Sequence, residues 1–342
     1  MFTMKGNRAV FPIDDPKRFK EAGPNDLIGL LPVPGYNPIC IEKWRLEVIF
    51  YALVRGEFMH IAGPTGSGKT SVLLALACVR GNFELLCRYY GYKVAPLFLH
   101  PVEMIVFDTP GELIQRRGLK DGTTYDEHSS LIGALRKASQ SLEAGYQAVW
   151  LRELGRVHSA TIQGGLLDLM THGEIMLPDD TTISGKDIGW VADSNYSCED
   201  DAVHVLAVFD DALKRRFTIN LGLDYLSLEQ EIQILQYLRD GGDVPRVDDE
   251  LLLGVVRLGQ AVRASRLEGN LRSVTPPTIY GYMAFLRLAH CMPHLSLMQV
   301  AQATFLGNAS NEDQDMIPTV FGDVFGVQSE IEDDTTIGRN MV

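Results

Sequence analysis

The sequence predicts the α/β class: a mostly parallel sheet with helices on both faces, followed by a smaller helical subdomain. Three observations predict it. Short apolar runs alternate with stretches of helical periodicity through most of the 342-residue chain, the pattern of repeated strand–helix–strand units. The first of these units has a glycine-rich turn between its strand and its helix. After about residue 226 the strand-like runs stop and only helical patterns follow.

Residues 1–38 show no regular pattern and end in LPVPGYNP, whose prolines suit an extended lead-in. Apolar residues at helical spacing predict a helix over 41–54, and FMHIA (58–62) reads as a buried strand. KTSVLLALACV (69–79) is the next helix. Further strands are expected at MIVF (104–107), QAVWL (147–151), IGWVAD (188–193) and FTINL (217–221), with a helix over 130–145. GEIMLPDDTTI (173–183) has the signature of a hairpin. Downstream, Ser227 with Gln230 and Ser296 with Gln299 form two capping boxes that each open a helix. Residues 248–267 and 278–291 are also helical in pattern. The expected organisation is a lead-in over 1–38, an α/β domain over 39–242, a helical lid over 243–308 and an acidic tail over 309–342.

Composition narrows the class further. Apolar residues at 46% and charged residues at 22% suit a packed core and exclude general disorder. The net charge of −13 disfavours nucleic acid as a partner. No apolar run is long enough for a membrane span, and the N-terminus lacks the apolar core of a signal peptide, so a cytoplasmic location is expected. Five cysteines without a CxxC pair argue against a disulfide framework and for reduced, mostly buried thiols.

The turn after FMHIA reads Gly63-Pro64-Thr65-Gly66-Ser67-Gly68-Lys69-Thr70, a full match to GxxxxGK[ST] between a strand and a helix. Its glycines let backbone N–H groups turn toward a phosphate at a helix N-terminus. Lys69 would reach the β- and γ-phosphates, and the Thr70 hydroxyl would ligate Mg²⁺.

Three further segments stand at informative distances: AVWLRELGR (148–156), WVADSNY (190–196) and DDALKRRF (210–217). With the phosphate loop, the GELIQRRGL stretch and the hairpin, this succession resembles the AAA+ ATPases, and within them the MoxR branch of the CbbQ and NorQ type. The resemblance implies a P-loop AAA+ core with a helical lid, with ATP and Mg²⁺ as cofactors. It implies Glu153 as the catalytic glutamate that polarises the attacking water and Asn195 as the sensor-1 residue. Arg216, with Arg215 as the near alternative, would reach a neighbouring subunit's site, which requires an oligomer, usually a hexameric ring. It also implies a chaperone-like remodeller of a partner complex, in which a protein client with a von Willebrand factor A domain is a common partner.

The chain departs from that pattern at the second motif. Arg152 stands where the family has the aspartate that helps hold Mg²⁺, and a guanidinium cannot coordinate a cation. Either Thr70 and the phosphates hold the ion, or another carboxylate such as Asp108 substitutes, or the chain is an ATP-responsive scaffold with little turnover. VLAVFDD (205–211), with Asp210 and Asp211, mimics the second motif but is set aside because ALKRRF follows it. The sensor-2 position falls on Pro277, with Arg272 nearby. His290 and His294, and Asp168, His172 and Glu174, are read as surface or capping residues. Arg116, Arg117 and Lys120 are candidates for gripping a substrate; a DNA-directed motor is the reading they would favour.

Overall fold

The structure is a computed structural model that describes residues 10–34, 36, 38–120, 123–157, 159–177, 180–195 and 211–326, with the backbone alone at 116–120, 124–126, 160, 168 and 172. The chain divides into two compact units, Met1–Leu226 and Ser227–Val342.

The first unit begins with a small sheet of β1 (Phe11–Pro12), β2 (Leu27–Gly29) and β3 (Cys40–Glu42), with α1 (Pro16–Glu21) between the first two strands. The lead-in is therefore structured rather than irregular. Asp15 caps α1 through the N–H groups of Lys17 and Arg18, and Phe19 is buried. α2 (Lys43–Arg55) ends at Gly56, which takes the left-handed conformation.

The main sheet has five strands in the order β12-β4-β11-β8-β5, with every recorded neighbour pair parallel. They are β4 (Phe58–Ala62), β5 (Leu97–Glu103), β8 (Tyr146–Arg152), β11 (Gly189–Ser194) and β12 (Ile219–Gly222). Four of these match expected strands. The fifth does not: residues 104–107 begin with a 3-10 turn, Met104–Val106, and the strand lies just upstream. Pro101 in the middle of LFLHPVE argues against a central strand, but β5 is at the sheet edge, where a proline is accepted.

Alternation along the strands sorts the sheet into two faces. Met59, Ile61, Ala148, Trp150 and Val191 share a core with α2, α3 (Lys69–Cys78) and α4 (Arg80–Tyr90). Val149, Leu151, Trp190 and Ala192 share the opposite core with α5 (Ser130–Gln140) and α6 (Ala160–His172). Two antiparallel hairpins extend from this body: β6 (Gln115–Lys120) with β7 (Thr123–His128), and β9 (Glu174–Met176) with β10 (Thr182–Ser184). The second is the expected hairpin, and Lys186 donates to Glu174 at 2.6 Å beside it. Arg116, Arg117 and Lys120 fall on β6, but their side chains lie outside the described residues, as do those of Asp168 and His172. α7 (Asp211–Arg216) leads into β12.

The second unit is helical: α8 (Leu228–Asp240), α9 (Asp249–Leu267), α10 (Ile279–Cys291), α11 (Leu297–Ala301), α12 (Asn311–Gln314) and α13 (Ile317–Phe325). Both capping boxes form as expected, Ser227 with Gln230 and Ser296 with Gln299. The unit begins at Ser227, not at 243, because α8 belongs to its core. Buried Glu231 of α8 accepts from Arg263 of α9 at 2.7 Å, from Gln260 and from the Tyr282 hydroxyl. The segment expected as a tail is helical as far as Phe325, with Asp313 buried and accepting from the backbone N–H groups of Arg272 and Ser273. Residues 327–342 lie outside the described residues. Pro277 precedes α10 and its carbonyl accepts from Arg263, while the Arg272 side chain donates to Gly269. α10 ends at Cys291, so His294 is not on the helix that carries His290. Of the four described cysteines only Cys87 is buried, and Cys78 and Cys291 are exposed, against the expectation of mostly buried thiols.

Candidate nucleotide site

Parallel strands bring their carboxyl ends to one edge, and that edge is where open α/β sheets hold ligands. Here it gathers Glu103 of β5, Arg152 and Glu153 at β8, Asp193, Ser194 and Asn195 at β11, and the phosphate loop after β4.

The loop's glycines are required by the backbone. Gly66 and Gly68 have φ of 82° and 92°, in the left-handed region. A Cβ on Gly63 would stand 2.1 Å from the Leu223 carbonyl oxygen. The Tyr225 hydroxyl donates to the Thr65 carbonyl at 3.1 Å and holds the turn from the β12 side. Gly68 is the N-cap of α3, so Lys69 and Thr70 occupy the first helical turn, where anions are favoured.

Lys69 is buried, and its ammonium donates to the Gly63 and Pro64 carbonyls, both at 2.8 Å, and to Asn195 Oδ1 at 3.0 Å. Two residues selected independently in the sequence, 126 positions apart, thus meet directly. Burial pushes the Lys69 ammonium down to about 8, against the pull of the Asp193 carboxylate. Ser67 Oγ is buried without a hydrogen-bond partner among the described residues. A buried cation, a buried hydroxyl with capacity to spare and a helix N-terminus fit a polyphosphate, and Thr70 in the first turn is the hydroxyl available to its Mg²⁺.

The lowered ammonium gives a pH prediction. Lys69 carries its charge below about 8 and loses it above. Affinity for an anionic nucleotide should therefore be full near neutrality and weaken by ~10-fold between pH 7 and pH 9, where a lysine of ordinary pKa would change little. Calorimetry at pH 8 in buffers of different ionisation enthalpy should register proton uptake on binding.

At β8, Glu153 has a φ of 53°, left-handed for a residue with a side chain. Its N–H donates to Asp193 Oδ1 at 3.1 Å, and its carboxylate lies 3.3 Å from Arg156 Nε. Arg152 pairs with Glu103 and stacks on Trp150, its guanidinium carbon 5.0 Å from the ring centre. Asp108 is exposed, five residues past the end of β5, and its N–H donates to Glu112 in the capping box of the following turn. It is not a strand-end carboxylate, because the strand on which that reading depended is displaced. Asp211 starts α7 and pairs with Lys214, while Asp210 lies outside the described residues.

Arg215 and Arg216 are exposed at the end of α7, ahead of the amino end of β12. β12 runs parallel to β4, so these arginines are at the opposite end of the sheet from the phosphate loop, on the order of 20 Å along the strand direction. They are not assembled with Lys69, Asn195 and Glu153 in the same chain.

Three members of this region were not selected in the sequence. Tyr225 has no local signal. His60 lies on β4 and bonds Ser194 Oγ at 2.7 Å, and burial lowers its pKa. Asp193 is buried, and its signal was available: an acid closing the apolar run WVAD, two residues before Asn195.

Among the described residues, no single helix is long and apolar enough to cross a membrane. A comparison with known protein families finds no match. Over 134 residues the chain is 30% identical to the cytochrome c biogenesis ATP-binding export protein CcmA of Pseudomonas putida, a match that takes in 37% of this chain and 60% of that protein. Among solved structures, "a putative ATPase" from Cytophaga hutchinsonii is similar at 15% identity and a TM-score of 0.39, with 81% of this chain and 88% of that one covered. The chain has an α/β core, a parallel five-stranded sheet flanked by helices with a GxxxxGK[ST] loop after β4, and a helical C-terminal region.

Proposed function

We propose that this protein binds ATP with Mg²⁺ on the Gly63–Thr70 loop and hydrolyses its β–γ bond, working as an AAA+ remodeller of the MoxR type. The observation that carries the reading is the buried Lys69 ammonium held by two loop carbonyls and Asn195, at the edge where Glu153 also stands. Lys69 exchanges carbonyl partners for phosphate oxygens. Asn195, released or shared, orients the attacking water, and Glu153 accepts its proton after leaving Arg156. Mg²⁺ supplies charge neutralisation on the phosphates when bound. The similarity over part of the chain to CcmA, an ATP-binding export protein, supports the nucleotide half of this reading.

The position of Arg215 and Arg216 supports assembly. Within one chain they lie too far from the loop to stabilise charge on the transferring phosphoryl group, so that role requires another copy, as in a hexameric ring. A protein client, including one with a von Willebrand factor A domain, follows from the resemblance alone. A second reading, an ATP-responsive scaffold with little turnover, is favoured by one observation: Arg152 occupies the end of β8. Phosphate release measured across a dilution series separates the two. On the first reading, turnover per chain rises as copies assemble, and Arg216→Ala lowers the assembled rate by ~10-fold or more, with Arg215 a partial stand-in. Turnover that is independent of assembly would remove the intersubunit role.

A further inference from the structure

We infer that Asp193 is the acidic side chain of the Mg²⁺–nucleotide site, supplying from β11 the negative charge that Arg152 cannot supply from β8. The inference rests on the nucleotide-binding reading above.

The register brings the two residues together. β11 pairs with β8 in parallel with Ala192 opposite Leu151, so Asp193 and Arg152 are the next residues along on neighbouring strands. On its other side β11 pairs with β4, with Asp193 opposite Ile61, two residues before Gly63. Asp193 thus stands between the strand that carries Arg152 and the strand that feeds the phosphate loop. It is only 5% exposed. Its Oδ1 accepts from the Trp150 indole and from the Glu153 N–H, both at 3.1 Å. Its charge interacts with those of Lys69 and Arg152.

The charges alternate across the sheet edge: Glu103 on β5, Arg152 on β8, Asp193 on β11, and Lys69 beyond β4. This order explains why Arg152 is tolerated. Its guanidinium is paired with Glu103 and stacked on Trp150, which spreads and offsets its charge. Burial raises the Asp193 pKa above the ordinary aspartate value, and the bonds from the Glu153 N–H and the Trp150 indole, with the charges of Lys69 and Arg152, pull it back toward the anion. A carboxylate beside the phosphate loop is the oxygen chemistry that a hard, hydrated cation such as Mg²⁺ uses together with phosphate oxygens. Of the carboxylates on β5 and β8 at this edge, Glu103 pairs with Arg152 and Glu153 with Arg156, and Asp224 beyond β12 is exposed where Asp193 is buried.

The test uses the full chain and a fluorescent ATP analogue, with affinity measured in excess Mg²⁺ and in EDTA. The wild type should bind at least ~10-fold tighter with Mg²⁺. Asp193→Asn keeps the Oδ1 acceptor, so its affinity in EDTA should stay near that of the wild type while the Mg²⁺ gain falls below ~2-fold. Arg152→Asp combined with Asp193→Asn returns a carboxylate to β8 and should restore the gain. If Asp193→Asn also lost affinity in EDTA, Asp193→Glu would carry the test: a retained gain supports the inference and a lost one overturns it. An Asp193→Asn protein with the full Mg²⁺ gain shows a purely structural acceptor for Trp150 and Glu153, and the inference fails. Wild-type protein that binds no nucleotide in either condition fails the nucleotide reading instead.

Discussion

Lys69→Ala should abolish nucleotide binding, weakening it by at least ~100-fold, because hydrogen bonds to a charged group contribute about 1.5–3 kcal/mol each and the ammonium is the one buried cation in the loop among the described residues. The fold should survive. Lys69 is the first residue of α3, where alanine is an excellent helix former. Circular dichroism and the thermal midpoint should stay close to wild type while fluorescence polarisation with a labelled ATP analogue shows no saturable binding. A folded variant with affinity within threefold of wild type would mean that the loop holds no phosphate, and every role assigned to Asn195, Glu153 and Asp193 would lapse with it.

Glu153→Gln should separate binding from turnover. Removing a general base typically costs 10²–10⁴-fold, so phosphate release should fall by ~100-fold or more while ATP affinity changes little. Glutamine has the same shape, and the bond that holds this position, from its own N–H to Asp193, uses the backbone and is retained. The left-handed backbone at residue 153 is likewise unchanged by the swap, so a rate effect cannot be assigned to a rearranged strand end. The variant should hold ATP long enough to be isolated with it. Equal and negligible release by wild type and variant, in a properly assembled oligomer, would favour the scaffold reading in which Arg152 has removed turnover.

Much of the site was legible because its signals are contiguous. The eight residues from Gly63 to Thr70 identify the phosphate loop by themselves, since each glycine answers a backbone demand and the lysine ends the cradle at a helix N-terminus. The strands on either side of β11 were legible for a similar reason: a central parallel strand is buried on both faces and reads as a largely apolar run, as AVWL in β8 does. The edge strand was not. LFLHPVE carries a proline and two partly polar positions, and only its place at the end of the sheet makes that composition acceptable. The three short strands near the N-terminus were missed because two or three residues are too few to show a period.

Local chemistry alone, then, determined the strand–loop–helix unit, the residues Lys69 and Thr70, the strand-end Glu153 and the helices that open at Ser227 and Ser296 or fall within 248–267 and 278–291. Tertiary structure decided which distant groups share a space: that Asn195 bonds Lys69, that Glu103 answers the charge of Arg152, and that Asp193 stands beside both. The physical reason is that these meetings depend on strand order and register. Sequence periodicity specifies which face a side chain takes, but not which strand will lie next to it.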